Sequence, residues 1–148
     1  MKATPHLDPA DLVGIKAALG LDDPGSTLRP IGLRRIDIAD DALDRLPEIV
    51  RSVRRAGPIV IIGDHVPIIR GGAELKPLVV KMLEPLGIVR EVWIGTRGVE
   101  LHADVATVDS ASRASVGAGC VVAVGSGTVC AVAKEASRLA HCPFFAVP

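Results

Sequence analysis

The sequence predicts an α/β fold, a Rossmann-like, mostly parallel sheet with helices on both faces. Three observations predict it. From Gly57 onward, apolar β-branched runs alternate with amphipathic stretches at the spacing of strand–helix–strand units. Hydrophobic residues make up 49% of the chain and aromatics only 2%, so the core must be Val, Ile, Leu and Ala, the usual content of buried parallel strands and their covering helices. The length, 148 residues, suits one domain with a sizeable core.

Taken in order, Asp8-Pro9-Ala10-Asp11 reads as an N-cap, a proline at the first helical position and an acidic first turn. Leu12, Ile15 and Leu19 then form one apolar stripe, and Gly20 is a stop. Residues 20–31 are rich in Gly, Asp, Pro and Ser and read as a loop. Residues 1–27 are therefore an N-terminal helix and linker, and 28–148 the α/β domain. Leu33, Ile36 and Ile38 predict a short strand. Asp40 and Asp41 can cap a helix that turns Leu43, Leu46, Ile49, Val50 and Val53 inward, with Pro47 shortening or bending its first turns. Arg51, Arg54 and Arg55 near its end suit the helix dipole.

The regular part follows. Pro58–Ile62 is a strand and 73–86 a helix with Leu75, Leu78, Val79, Met82, Leu83 and Leu86 on one face. Val89–Ile94 is a strand, 104–117 a weaker Ala/Ser-rich helix, Cys120–Val124 a strand, 127–140 a helix and Phe144–Val147 a last strand. Right-handed crossovers follow by rule. The sequence given stops at Pro148, directly after an apolar strand. That predicts a truncated domain whose missing second domain, or a second copy in a homo-oligomer, covers the remaining apolar surface.

Charge excludes some classes. Lys plus Arg equals Asp plus Glu at 17 each, which argues against a general nucleic-acid or membrane-surface binder. No apolar run is long enough to span a bilayer, and the N-terminus lacks the form of a signal peptide. Cys120, Cys130 and Cys142 sit in apolar surroundings without metal-ligand spacing and read as reduced thiols of a cytoplasmic protein. His6, His65, His102 and His141 do not cluster, so no catalytic or metal residue is assigned.

Chemistry concentrates at predicted strand ends, where open parallel sheets bind ligands. The run Val121–Val124 leads into Gly125-Ser126-Gly127-Thr128 and at once into a helix. Glycines let backbone approach a ligand closely, and free N–H groups at a helix start point at an anion, so this is a candidate phosphate cradle. Read without a ligand, it is a tight strand-to-helix turn. Asp64, after Gly63, is placed to accept ribose hydroxyls, and reads equally as a turn residue or cap. The acid precedes the glycine run, and Cys130 stands where G-x-G-x-x-G has its last glycine, so the ordinary dinucleotide fingerprint is incomplete. Lys134, on the second turn, reads as solvated or as a phosphate contact.

These residues carry a resemblance. Gly125-Ser126-Gly127-Thr128, Ala133-Lys134 and Pro143-Phe144-Phe145-Ala146-Val147-Pro148 resemble the central motif of the iron-containing alcohol dehydrogenase and dehydroquinate synthase superfamily. That motif runs G-G-G-S-x-x-D or G-S-G-T-x-x-D, then A-K, then P-F-x-x-V-P. The G-S-G-T form looks most like the sn-glycerol-1-phosphate dehydrogenase branch. Ile61-Ile62-Gly63-Asp64 is similar to the strand end where the family's acid meets the adenosine ribose. The resemblance covers about residues 28–148, with 121–148 its specific block. It implies an NAD- or NADP-binding domain with Asp64, Gly125, Ser126, Gly127 and Thr128 as cofactor-binding residues. It implies an oxidoreductase acting on a polyol or its phosphate, with a divalent metal, Zn or Fe, held by a helical domain that this sequence lacks. The chain alone is then expected to be inactive. The family's acid of G-S-G-T-x-x-D falls on Ala131. A dehydroquinate-synthase-like lyase domain and a degenerate, non-catalytic binding module are the alternatives.

Overall fold

Local signals place most elements within a residue or two of expectation. The computed structural model describes residues 8–21, 25 and 32–148. Most of the expected linker, the start of the expected domain at 28 and His6 lie outside the described residues. The chain divides into two compact units, Met1–Asp44 and Arg45–Pro148.

In the first unit, α1 (Leu12–Ala18) is capped by Asp11, whose carboxylate accepts the Gly14 N–H at 2.9 Å. The expected cap, Asp8, instead accepts from Ala10 N–H and holds the preceding turn. Past the end, Gly20 takes φ +60, and the N–H groups of Gly20 and Leu21 return to the Ala17 and Lys16 carbonyls. That is a Schellman stop, so the glycine reading holds. The expected strand at Leu33, Ile36 and Ile38 is not formed. Among the described residues the segment pairs with no strand, and Leu33 and Ile38 stand 45% and 63% exposed. An extended run without a ladder partner has no strand to join.

In the second unit, α2 (Leu46–Val53) starts later than the Asp40/Asp41 reading, because residues 39–45 form turns and Pro47 occupies the first helical turn. Next come β1 (Ile59–Gly63), β2 (Ile69–Arg70) and β3 (Ala73–Glu74). β2 and β3 are a minute antiparallel hairpin turned by Gly71 and Gly72, both at positive φ. It takes residues 73 and 74 from the expected helix, so α3 is Leu75–Leu83, followed by a 3₁₀ turn at Glu84–Leu86. The remainder is β4 (Val89–Trp93), α4 (Val105–Ala114), β5 (Cys120–Val124), α5 (Gly127–Leu139) and β6 (Phe144–Val147).

The main sheet is parallel, in the order β4-β1-β5-β6. Every residue of β1 and β5 is buried, as central strands require. Strand alternation sorts the two faces. Val60, Ile62, Val121 and Ala123 pack with Ala111 of α4 and with Val129, Val132, Ala133 and Ala136 of α5. On the opposite face, a Cβ at Gly63 would lie 3.3 Å from the Lys76 side chain of α3. Helices thus cover both faces, and the fold is Rossmann-like. Among the described residues, no helix is long and apolar enough to cross a membrane.

Candidate functional site

Sheet topology fixes where a site can lie. From β1 the chain moves to β4 on one side; from β4 it crosses back to β5 on the other side and continues to β6. β1 and β5 therefore flank the point where strand order reverses, the place where open α/β sheets hold ligands. Gly63 is in register with Val124, so Asp64 and Gly125 leave neighbouring strands at the same end. Gly63 is also in register with Trp93, which brings Gly95-Thr96-Arg97 to that end too.

At the turn Gly125–Thr128 the backbone packs tightly against the start of α5. Gly125 has φ +157, and a Cβ there would lie 2.8 Å from Val129. Its N–H donates to Val147 O at 3.1 Å, and its carbonyl accepts from the Cys130 thiol at 3.6 Å. The residue in place of the fingerprint's last glycine thus braces the turn. Ser126 is the N-cap of α5, but its side chain makes no capping bond. The amide N–H groups that open a helix have no intrahelical partner. Here neither a side chain nor a proline relieves them, and Ser126 and Gly127 are exposed. Gly127 carries the clearest signal. A Cβ added there meets nothing within 4 Å, and its φ is not in the left-handed region. Among the described residues, neither packing nor conformation requires glycine at that position. Ala131, where the resembled motif has an acid, is exposed on α5, as is Lys134.

Asp64 has company that the sequence reading missed. Lys76, on the inward stripe of α3 with Val79 and Leu83, is only 1% exposed, and Asp64 is 8% exposed. Lys76 Nζ donates to Asp64 Oδ1 at 2.8 Å and to the Val66 carbonyl, and Val66 N–H donates to the same Oδ1 at 3.2 Å. Nζ also lies 5.8 Å from the centre of the Trp93 ring, on which His65 stacks at 6.0 Å. Removing one member of such a buried pair costs about 3–5 kcal/mol. The signal was available: a lysine one residue after Leu75, spaced three and seven from Val79 and Leu83, sits where an apolar residue belongs.

The thiols are held in their protonated form. Burial pushes Cys120 up to about 12, and burial likewise raises Cys130 and Cys142. Among the described residues, no group of three or more His, Cys, Asp or Glu side chains could hold a metal ion. Neither protein families, nor curated proteins, nor solved structures yield a match to this chain.

Proposed function

We propose that the Arg45–Pro148 unit binds a nicotinamide dinucleotide, NAD or NADP, with its pyrophosphate on the Gly125–Thr128 turn and the adenosine ribose beside Asp64. The observation that carries this is Gly127. It stands at an uncapped helix start beside the strand reversal, and its missing side chain leaves space that none of the described residues fills. Backbone amides and the helix dipole together favour an anion at that spot, each such interaction contributing on the order of 0.3–1 kcal/mol.

The resemblance of the G-S-G-T and P-F-x-x-V-P segments extends the proposal to the whole enzyme. It would be a metal-dependent polyol or glycerol-1-phosphate dehydrogenase-like oxidoreductase, of which this chain supplies the cofactor half. The cofactor, when bound, supplies the hydride chemistry. The residues here bind the pyrophosphate and orient the ribose, and the metal would be held by a further domain. Ala131 favours a second reading, a binding module that kept the fold without the chemistry, because the acid of the resembled motif is absent.

The test is a titration of the chain with NADH and NADPH by calorimetry. Emission of Trp93, the only tryptophan and a neighbour of Lys76, serves as a second signal. A Gly127→Val variant should fold and should bind at least about tenfold more weakly, since a branched side chain fills the cradle. Equal affinity of variant and parent would remove the cradle from consideration.

A further inference from the structure

We propose that Lys76 sets the cofactor preference: by neutralising Asp64 it lets the ribose end of the site take the 2′-phosphate of NADP as readily as the 2′-hydroxyl of NAD. This rests on the dinucleotide site proposed above.

In a dinucleotide site, a lone carboxylate near the ribose accepts the hydroxyls of NAD and repels the extra phosphate of NADP. Asp64 is not a lone carboxylate. Its Oδ1 already accepts from Lys76 Nζ at 2.8 Å and from Val66 N–H at 3.2 Å. A hydroxyl pair that needs both oxygens finds one of them engaged. The charge is balanced as well. Lys76 comes from below, out of α3, and has almost no solvent of its own at 1% exposure. Its ammonium is held between the carboxylate, the Val66 carbonyl and the Trp93 ring, so it cannot swing away to leave the acid unpaired. Screening by water is weak for such a pair, and an incoming phosphate meets a net charge near zero. Discrimination against the 2′-phosphate then has no electrostatic source at this position.

The experiment compares NADH and NADPH affinities for the full chain and three variants, with folding checked by circular dichroism. The parent should bind the two within about threefold of each other. Lys76→Met keeps the volume and unmasks Asp64, so NADPH should weaken by about tenfold relative to NADH. Asp64→Asn leaves the ammonium in excess and should move the ratio toward NADPH. The double variant Asp64→Asn with Lys76→Met is neutral again, and its ratio should return to that of the parent. Either single variant leaves one buried charge unpaired and the double variant leaves none, so the parent and the double carry the test if a single variant does not fold. A double variant whose ratio moves toward NADPH would show that Asp64 discriminates in spite of Lys76, and would overturn the role. A parent that prefers NADH by more than about thirtyfold, or a ratio indifferent to all three variants, overturns the role of Lys76 while leaving the cofactor site intact. Failure of both dinucleotides to bind, or binding that Gly127→Val leaves unchanged, overturns the site itself and this role with it.

Discussion

Gly119 and Gly127, at opposite ends of the parallel sheet, meet opposite surroundings. At the N-terminal ends of the strands the chain closes on itself. A Cβ at Gly119 would lie 2.4 Å from the Arg55 carbonyl and 2.8 Å from that of Gly57. The same crossing is bonded, with Arg55 N–H donating to Gly119 O and Gly119 N–H to Pro58 O. Arginines finish the seal: Arg54 donates to Leu86 O at 2.7 Å, Arg90 to Ala114 O at 2.9 Å and Arg55 to the carbonyl of His141. At the C-terminal ends, a Cβ at Gly127 would meet none of the described residues within 4 Å, and the Ser126 side chain makes no capping bond to α5. Glycine below is explained by the chain's own backbone. Gly127 above has no such explanation among the described residues. Backbone thus closes on backbone at one end, while at the other a helix start stands open, where the proposed ligand would sit.

The largest effect that could break this division is at Gly119. Gly119→Ala drives a methyl into two carbonyls that are backbone and cannot rotate away. Destabilisation of about 3 kcal/mol is expected, read as a fall in urea midpoint. Dinucleotide affinity of the fraction still folded should be unchanged. A variant as stable as the parent would mean that the lower crossing is loose.

Gly127→Ala should do the reverse. Alanine is the better helix former and meets no neighbour, so stability should hold or rise by up to about 1 kcal/mol. Affinity for the dinucleotide should fall, though by less than with valine. A residue whose replacement stabilises the fold and weakens the ligand marks a site where stability was given up for binding. Loss of stability without loss of binding would reverse the assignment of the two ends.

Much of this was legible in the sequence, for identifiable reasons. β5 and β6 coincide with expectation because their apolar runs are bounded by glycine or proline on both sides. The glycine turn was legible because strand, small residues and helix follow without a gap. The strand at 33–38 was misread because alternation describes a segment's own geometry and is silent about a pairing partner. In this segment the alternation instead puts Arg35 and Asp37 within ion-pair distance at 2.5 Å. The β2–β3 hairpin was missed because each strand has two residues, too few for periodicity to register, although Gly71-Gly72 marked the turn. Asp64 was found by its place after a strand. Its partner Lys76 was not, because twelve residues and a hairpin separate the two and only the fold brings them together.

The smallest effect sharpens the comparison within the upper end, between the starts of α4 and α5. At α4 the chain supplies its own anion: Asp104 accepts the Thr107 N–H at 2.8 Å. That hydrogen bond holds the Asp104 carboxyl below its usual value of 3.8, with a smaller contribution from His102. A carboxyl lowered by folding adds stability that is fully present above its unfolded value and fades as pH falls through the folded one. Asp104→Ala should therefore lower the melting temperature by a few degrees near neutral pH, and the gap to the parent should close below about pH 4. High salt should narrow it as well, since the group is exposed. Dinucleotide affinity should not change, because Asp104 caps α4 and the proposed cradle lies at the start of α5. If Asp104→Ala instead weakens the dinucleotide as much as Gly127→Val, the anion binds at the wrong helix for the site proposed here. A gap that persists unchanged into acid would show that the cap acts through shape and not through charge.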